Sequence, residues 1–184
     1  MFKRLFGLSR SPNEEIVDSL YDQIVAAARQ PRFYADWQVP DTPLGRFEML
    51  SLHMFLFLHR ARTGNETISA IAQETVDTFF TDIDHSLREL GIGDVTMPKR
   101  MKKLAKMFYG RAQSYTEAIE AGDEAALRAA LARNVAPEHP QWDGATELAR
   151  YAFEADRALS IQPDDAIVAG RLSFTLPAET ESQP

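Results

Sequence analysis

The chain has 184 residues, a formal net charge of −7 and no cysteine. That length supports one domain able to bury roughly 70% of its unfolded surface without a metal or a disulfide, and the absent thiols exclude a cysteine nucleophile, a cysteine zinc site and an iron–sulfur cluster. The acidic balance gives no general support to nucleic-acid binding, and no run reaches the ~18 apolar residues that a membrane span needs.

The opening MFKRLFGLSR puts Phe2, Leu5 and Phe6 on one helical face and keeps Lys3, Arg4 and Arg10 polar. Residues 1–10 therefore read as an amphipathic segment, either a small membrane contact or a frayed end whose aromatics pack on the domain. The segment lacks the apolar centre of a signal peptide, so a cytoplasm-like compartment is expected. Ser11-Pro12-Asn13-Glu14 is a capping-box helix start, and Ile16, Leu20 and Ile24 follow at spacing four up to about Arg29, where Pro31 is read as the stop. Residues 31–42 read as a loop with three aromatics, Phe33, Tyr34 and Trp37. These either face a partner or fold back over the core.

Thr42 with Pro43 announces the next helix, about 43–62. It is apolar nearly all round, the mark of a buried central helix, so its polar residues Arg46, Glu48, His53 and His59 need an explanation. A third helix, about 66–90, carries the stripe Ile68, Ala72, Val76, Phe79, Ile83, Leu87 and Leu90 and an acidic outer face. Gly91 to Thr96 is a tight connection. The fourth helix, about 97–121, is basic in its first half, with Lys99, Arg100, Lys102, Lys103, Lys106 and Arg111 and no acid before Glu117. That face either pairs with the acidic helix beside it or meets anionic lipid, RNA or an acidic protein. Shorter helices follow at about 124–134 and 144–159. Beyond Ile161 the pattern fades into an arm, where 166–176 suggests a short strand or extended stretch and the last residues suggest disorder. The expected architecture is a single all-α domain over 11–160, five to six helices around helix 43–62, with 161–184 as arm and tail.

No phosphate loop, dinucleotide fingerprint, zincin motif or serine elbow occurs. His53 and His59 are six apart and turn to different directions on a helix, and Asp82 and Asp84, two apart, do not face each other, so neither a metal site nor another cofactor is expected. Glu48 needs a partner if buried, with Arg88, Lys99 and Arg111 as candidates, and His53 reads as a core hydrogen-bonding group.

Several blocks, in this order and spacing, resemble the ubiquinol–cytochrome c chaperone family: Phe33-Tyr34, Val39-Pro40-Asp41-Thr42, Gly45-Arg46-Phe47-Glu48, Leu52-His53, Phe79 to Asp84, Leu87 to Asp94, Lys99, Met101-Lys102, Phe108-Tyr109-Gly110-Arg111, Tyr115 and Arg133-Asn134. They span about 12–135. The family comprises bacterial relatives of the mitochondrial factor that assembles cytochrome b of the respiratory bc1 complex. The resemblance implies an all-helical, non-enzymatic chaperone without a cofactor. Its client would be newly made cytochrome b or a similar membrane protein, and a small helical partner, the ribosome and the inner-membrane surface would lie nearby. Sequence-specific nucleic-acid binding is not implied. The sequence begins without the long N-terminal extension of mitochondrial members, so import and ribosome docking are not carried over as firm expectations.

On this reading Phe33, Tyr34, Trp37, Arg46, Phe47 and Glu48 are the client-binding candidates. His53, Arg88, Asp94, Arg111 and Tyr115 form a polar network, and Lys99, Arg100, Lys102, Lys103 and Lys106 form the basic face. The alternative is a soluble helical enzyme or small-molecule binder with a polar pocket around Arg46, Glu48, His53, Arg88 and Arg111. A flat apolar groove would favour the chaperone, and a closed polar cavity would favour the alternative.

Overall fold

Side-chain caps set where three of the longer helices begin. In the computed structural model, which describes residues 13–93, 95–139 and 141–174, the Thr42 hydroxyl accepts the Gly45 N–H and starts α3. Asn65 does the same for the Ile68 N–H and Asp123 for the Ala126 N–H. The elements are α1 (Glu14–Ala28), α2 (Pro31–Ala35), α3 (Pro43–Ala61), α4 (Glu66–Glu89), α5 (Met97–Glu120), α6 (Glu124–Val135), α7 (Gly144–Ser160) and α8 (Asp164–Val168). The chain is an all-α bundle of six longer helices and two single turns among the described residues.

α3 is the hub. Met49, Leu52, Met54, Leu56 and Phe57 are sealed from solvent, and α1, α4, α5, α6 and α7 all pack against it. A helix with apolar residues on every side has no face to give to water, so its neighbours must surround it. α1 and α4 lie side by side and run parallel. The Asn13 amide donates to Glu74 (2.9 Å) and the Tyr21 hydroxyl to Asp82 (2.8 Å), two bonds with the same sequence offset. At the other end of the hub, His59 of α3 bonds Asp156 of α7 at 2.6 Å, and that carboxylate holds its pKa above the usual imidazole value.

Two elements differ from the sequence expectation. Residues 31–35 form a helical turn, because Pro31 serves as the first residue of a new turn as well as the end of α1. Where a strand or extended arm was expected, 164–168 is helical and 171–174 has no regular secondary structure. This C-terminal stretch packs on the domain. Buried Arg60 donates to Asp164 and to the Gln162 carbonyl. Gln23 donates to the Gly170 carbonyl (2.7 Å) and accepts the Leu172 N–H (2.8 Å), and Ser19 donates to the same Gly170 carbonyl. The amphipathic segment 1–10, the proposed Ser11-Pro12 cap, Asp94 and the tail beyond 174 lie outside the described residues.

Two glycines carry opposite meanings. At Gly144 a Cβ would fall on the Trp37 carbonyl oxygen, which also accepts the Trp142 indole N–H at 2.8 Å, so close packing requires glycine there. Gly110 sits in mid-α5, exposed, and a Cβ there would meet nothing within 4 Å. It costs the helix about 1 kcal/mol relative to alanine, and no internal contact accounts for it.

Candidate functional site

An open apolar groove runs along one side of the bundle. Its walls are the C-terminal half of α1, Tyr34 of α2, the first two turns of α3, the last two turns of α4 and Leu104 of α5. It encloses about 430 Å³. Phe47, Leu50, Ile83, Leu87 and Leu104 make its floor and sides, and Leu44 and Leu90 stand at its rim, 46% and 64% exposed. The rim polarity comes from Arg29, Arg46, Asp82 and Ser86. Arg46 is held outward by Asp41 at 2.6 Å, an ion pair that depresses the Asp41 carboxyl pKa. The Tyr34 hydroxyl donates to the Ala28 carbonyl (3.0 Å), which fixes its ring at the groove edge.

The groove exists because four helices present apolar stripes longer than their mutual contacts can cover. The α4 stripe continues to Leu87, which is only partly buried, and to Leu90 just past the helix end, which is 64% exposed. A contiguous exposed apolar surface rimmed by polar side chains is the signature of an interaction site. Covering one exposed leucine fully is worth about 1.5–3 kcal/mol.

The three aromatics of 31–42 separate. Phe33 and Trp37 are buried, 0% and 5% exposed, and the fold-back alternative holds for both. Phe33 packs against Trp37, His53 and Tyr151 with ring centroids 5.0–5.4 Å apart. Together they form the core behind the groove, and only Tyr34 reaches it. Phe47 also lines it, backed by Phe79 at 6.4 Å.

Glu48 is turned away from the groove and is 2% exposed. Its partner is Arg111, one of the three expected candidates, at 2.7 Å. The contact lies off the hydrogen-bonding angle, and both carboxylate oxygens lack a hydrogen-bond partner. Desolvation pushes the Glu48 pKa up to about 7, against the pull of Arg111. The Arg111 guanidinium also lies 6.0 Å from the Phe47 ring. Beside this pair the buried Tyr115 hydroxyl accepts from the Asn134 amide at 3.0 Å, and burial raises its pKa.

His53 belongs to a different neighbourhood. One ring nitrogen, Nδ1, meets the Met49 carbonyl at 2.7 Å and must donate to it. The other, Nε2, then accepts the Tyr151 hydroxyl proton, also at 2.7 Å. Burial lowers the His53 pKa to about 4, so the ring is neutral. Arg88 pairs with Asp84 on the outside of α4 at 2.6 Å. The five residues of the expected polar pocket therefore lie in four places: Arg46 at the groove rim, Glu48 with Arg111 inside, His53 in the aromatic core and Arg88 on the surface. Among the described residues they do not form one cluster. Among the described residues no group of three His, Asp or Glu side chains is placed to hold a metal.

Lys99, Arg100, Lys102, Lys103 and Lys106 are all exposed along α5, whereas Arg111 turns inward. Arg88 pairs with Asp84, and His85 lies 3.2 Å from Glu89, both within α4.

Sequence reasoning missed Leu44, Leu50, Leu87, Leu90 and Leu104 as surface. The signal was present in the α4 and α5 stripes, but periodicity marks a face as apolar without saying whether a neighbour covers its whole length.

Comparison with known proteins followed the same line. A profile described as ubiquinol-cytochrome C chaperone matches residues 35–174. A solved structure, described as the crystal structure of the Cbp3 homolog from Brucella abortus, is 56% identical in sequence. The alignment covers 89% of this chain and 90% of that one, with a TM-score of 0.84. No curated protein matches the chain.

Proposed function

The chain belongs to the ubiquinol-cytochrome C chaperone family, and from that premise we propose that it is a non-enzymatic assembly chaperone whose groove shelters an apolar segment of newly made cytochrome b during assembly of the bc1 complex. The single observation that carries this reading is the open apolar groove with leucines standing at its rim. A membrane-protein segment awaiting insertion offers the complementary surface, a helix with apolar residues at i, i+3, i+4 and i+7. Tyr34, Arg46 and Phe47 are the client-binding candidates that line the groove. Phe33, Trp37 and Glu48 act from behind it, by fixing the positions of α2 and α3.

The basic face of Lys99, Arg100, Lys102, Lys103 and Lys106 fits a peripheral position on an anionic surface, the cytoplasmic face of the membrane or the ribosome, since lysine contacts phosphate without sequence information. No helix among the described residues is long and apolar enough to cross a membrane.

The test is photo-crosslinking in cells of the source organism from residue 90, at the groove rim, and from residue 128, on α6 away from it. Cytochrome b crosslinked from 90 and not from 128 supports the reading, and the double substitution Leu87→Asp, Leu90→Asp should abolish the product. Equal labelling from both positions, or none, overturns it. Charge reversal of Lys99, Arg100 and Lys102 should weaken cosedimentation with membranes or ribosomes while leaving helicity unchanged.

A further inference from the structure

A second concavity lies where α5 meets α6. It is a shallow depression of about 520 Å³, with Lys103, Lys106, Gly110 and Arg111 on α5 and Arg133 and Asn134 on α6. Four cations line it and no carboxylate does. Arg111 is paired on its inner side with buried Glu48 of α3, and Glu117 follows Gly110 by seven residues on α5.

Gly110 gives the depression its shape. Lys106, Gly110 and Ser114 follow at spacing four and so lie along one face of α5. The missing side chain between Lys106 and Ser114 leaves a gap that a Cβ would begin to fill, with nothing else within 4 Å. Glycine is a poor helix former, and neither a turn nor a packed neighbour demands it here. The backbone is thus left open to close approach at the point where the cations converge. The wall opposite is fixed, because Asn134 donates to Tyr115 and so ties α6 to α5 beside Arg111.

We propose that this depression is a binding site for a phosphate group, seated over Gly110 and held by Lys103, Lys106 and Arg133. Phosphate is the chemistry that uses several cations lining one depression, and Gly110 contributes room alone, since its N–H lies within α5 and its carbonyl accepts the Ser114 hydroxyl. The group is carried either by a soluble phosphate compound or by a phospholipid head. The site shares Lys103 and Lys106 with the basic face but does not depend on the chaperone reading, because it requires the Gly110 gap and Arg133, which a diffuse electrostatic contact does not.

The test uses the full chain labelled with nitrogen-15 and titrated with inorganic phosphate, against sodium chloride of equal ionic strength. In parallel the protein is sedimented with phosphatidylcholine vesicles with and without phosphatidylglycerol. The expected result is saturable movement of the Gly110 and Ser114 amides in phosphate, or sedimentation only with phosphatidylglycerol. Either should be weakened at least tenfold by Gly110→Leu and by Arg133→Gln. Gly110→Leu leaves the charge intact and favours the helix, so its melting temperature should hold or rise, and loss of binding would not reflect unfolding. Amide movement in free phosphate identifies a soluble ligand, and binding confined to vesicles identifies a lipid head. The proposal is overturned if phosphate acts no differently from chloride and sedimentation ignores Gly110→Leu. A partner helix crossing at Gly110 would give that second pattern. None of these readouts involves cytochrome b, so failure here leaves the groove reading standing.

Discussion

Glu48 and His53 stand five residues apart on the same buried helix, and the interior treats them in opposite ways on the pH scale. Burial favours the neutral form of each, which raises the carboxyl to about 7 and lowers the imidazole to about 4. They differ in how they are satisfied. Both nitrogens of His53 have a partner, one on its own helix and one on α7, whereas Glu48 has a cation nearby and no hydrogen bond. A buried polar group with every bond made specifies a packing arrangement. One without them remains a site of tension at the junction of α3 and α5.

The two also act on stability with opposite sign. Glu48 has a raised folded pKa, so its contribution is complete below about 4.5 and disappears as pH rises through 7. His53 has a lowered folded pKa, so its contribution is complete above about 6.5 and disappears as pH falls through 4. Between about 4.5 and 6.5 the two slopes oppose each other, and the intact protein hides both.

Breaking the His53 side should give the largest effect. Tyr151→Ala removes a fully buried ring, opens a cavity against Phe33 and Trp37 and deletes the hydroxyl that donates to His53 Nε2, with an expected loss of about 3–5 kcal/mol in urea unfolding. A loss under about 1 kcal/mol would mean that the aromatic core is not cooperative with the rest. Next, Glu48→Gln should unmask the histidine. The stability difference between wild type and variant should fall by roughly 3 kcal/mol from pH 4.5 to pH 7.5, read by denaturant titration at four pH values. A flat difference would show that Glu48 titrates alike in the folded and unfolded chain. Smaller still, Tyr151→Phe keeps the ring and deletes only the hydroxyl, leaving a buried acceptor unmet at a cost of about 1–3 kcal/mol. The smallest effect belongs to Leu90→Ser. This replacement is apolar to polar at a position 64% exposed, so stability should move within about 0.5 kcal/mol while client crosslinking falls.

The hub helix was legible because its composition leaves no polar face, and its start because Thr42-Pro43 is a local signal that needs no tertiary context. The Glu48–Arg111 pair was legible as one of three options, since burial of a charge demands a partner and sequence cannot choose among cations far along the chain. The turn at 31–35 was not legible. A helix of five residues has no period to detect, and Pro31 signals an end as readily as a beginning. Phe33 and Tyr34 are adjacent, yet one is sealed and the other edges the groove, a distinction set by where α7 lies. The groove itself depends on how α1, α3, α4 and α5 come together, which is a property of the assembled bundle. Gly110 stood within the family-like block Phe108-Tyr109-Gly110-Arg111, but only the empty space around it distinguishes it from a packing glycine such as Gly144.

The bonds from Ser19 and Gln23 to Gly170 and Leu172 have a consequence for biosynthesis. Every wall of the groove comes from residues 25–104, whereas the clasp on α1 comes from the far end of the described chain. Translation proceeds at about 5–20 residues per second, so the groove walls leave the ribosome seconds before the segment that secures α1. During that interval the growing chain has its leucines in water and its first helix unclasped. It then needs the same protection that the finished protein is proposed to give to another.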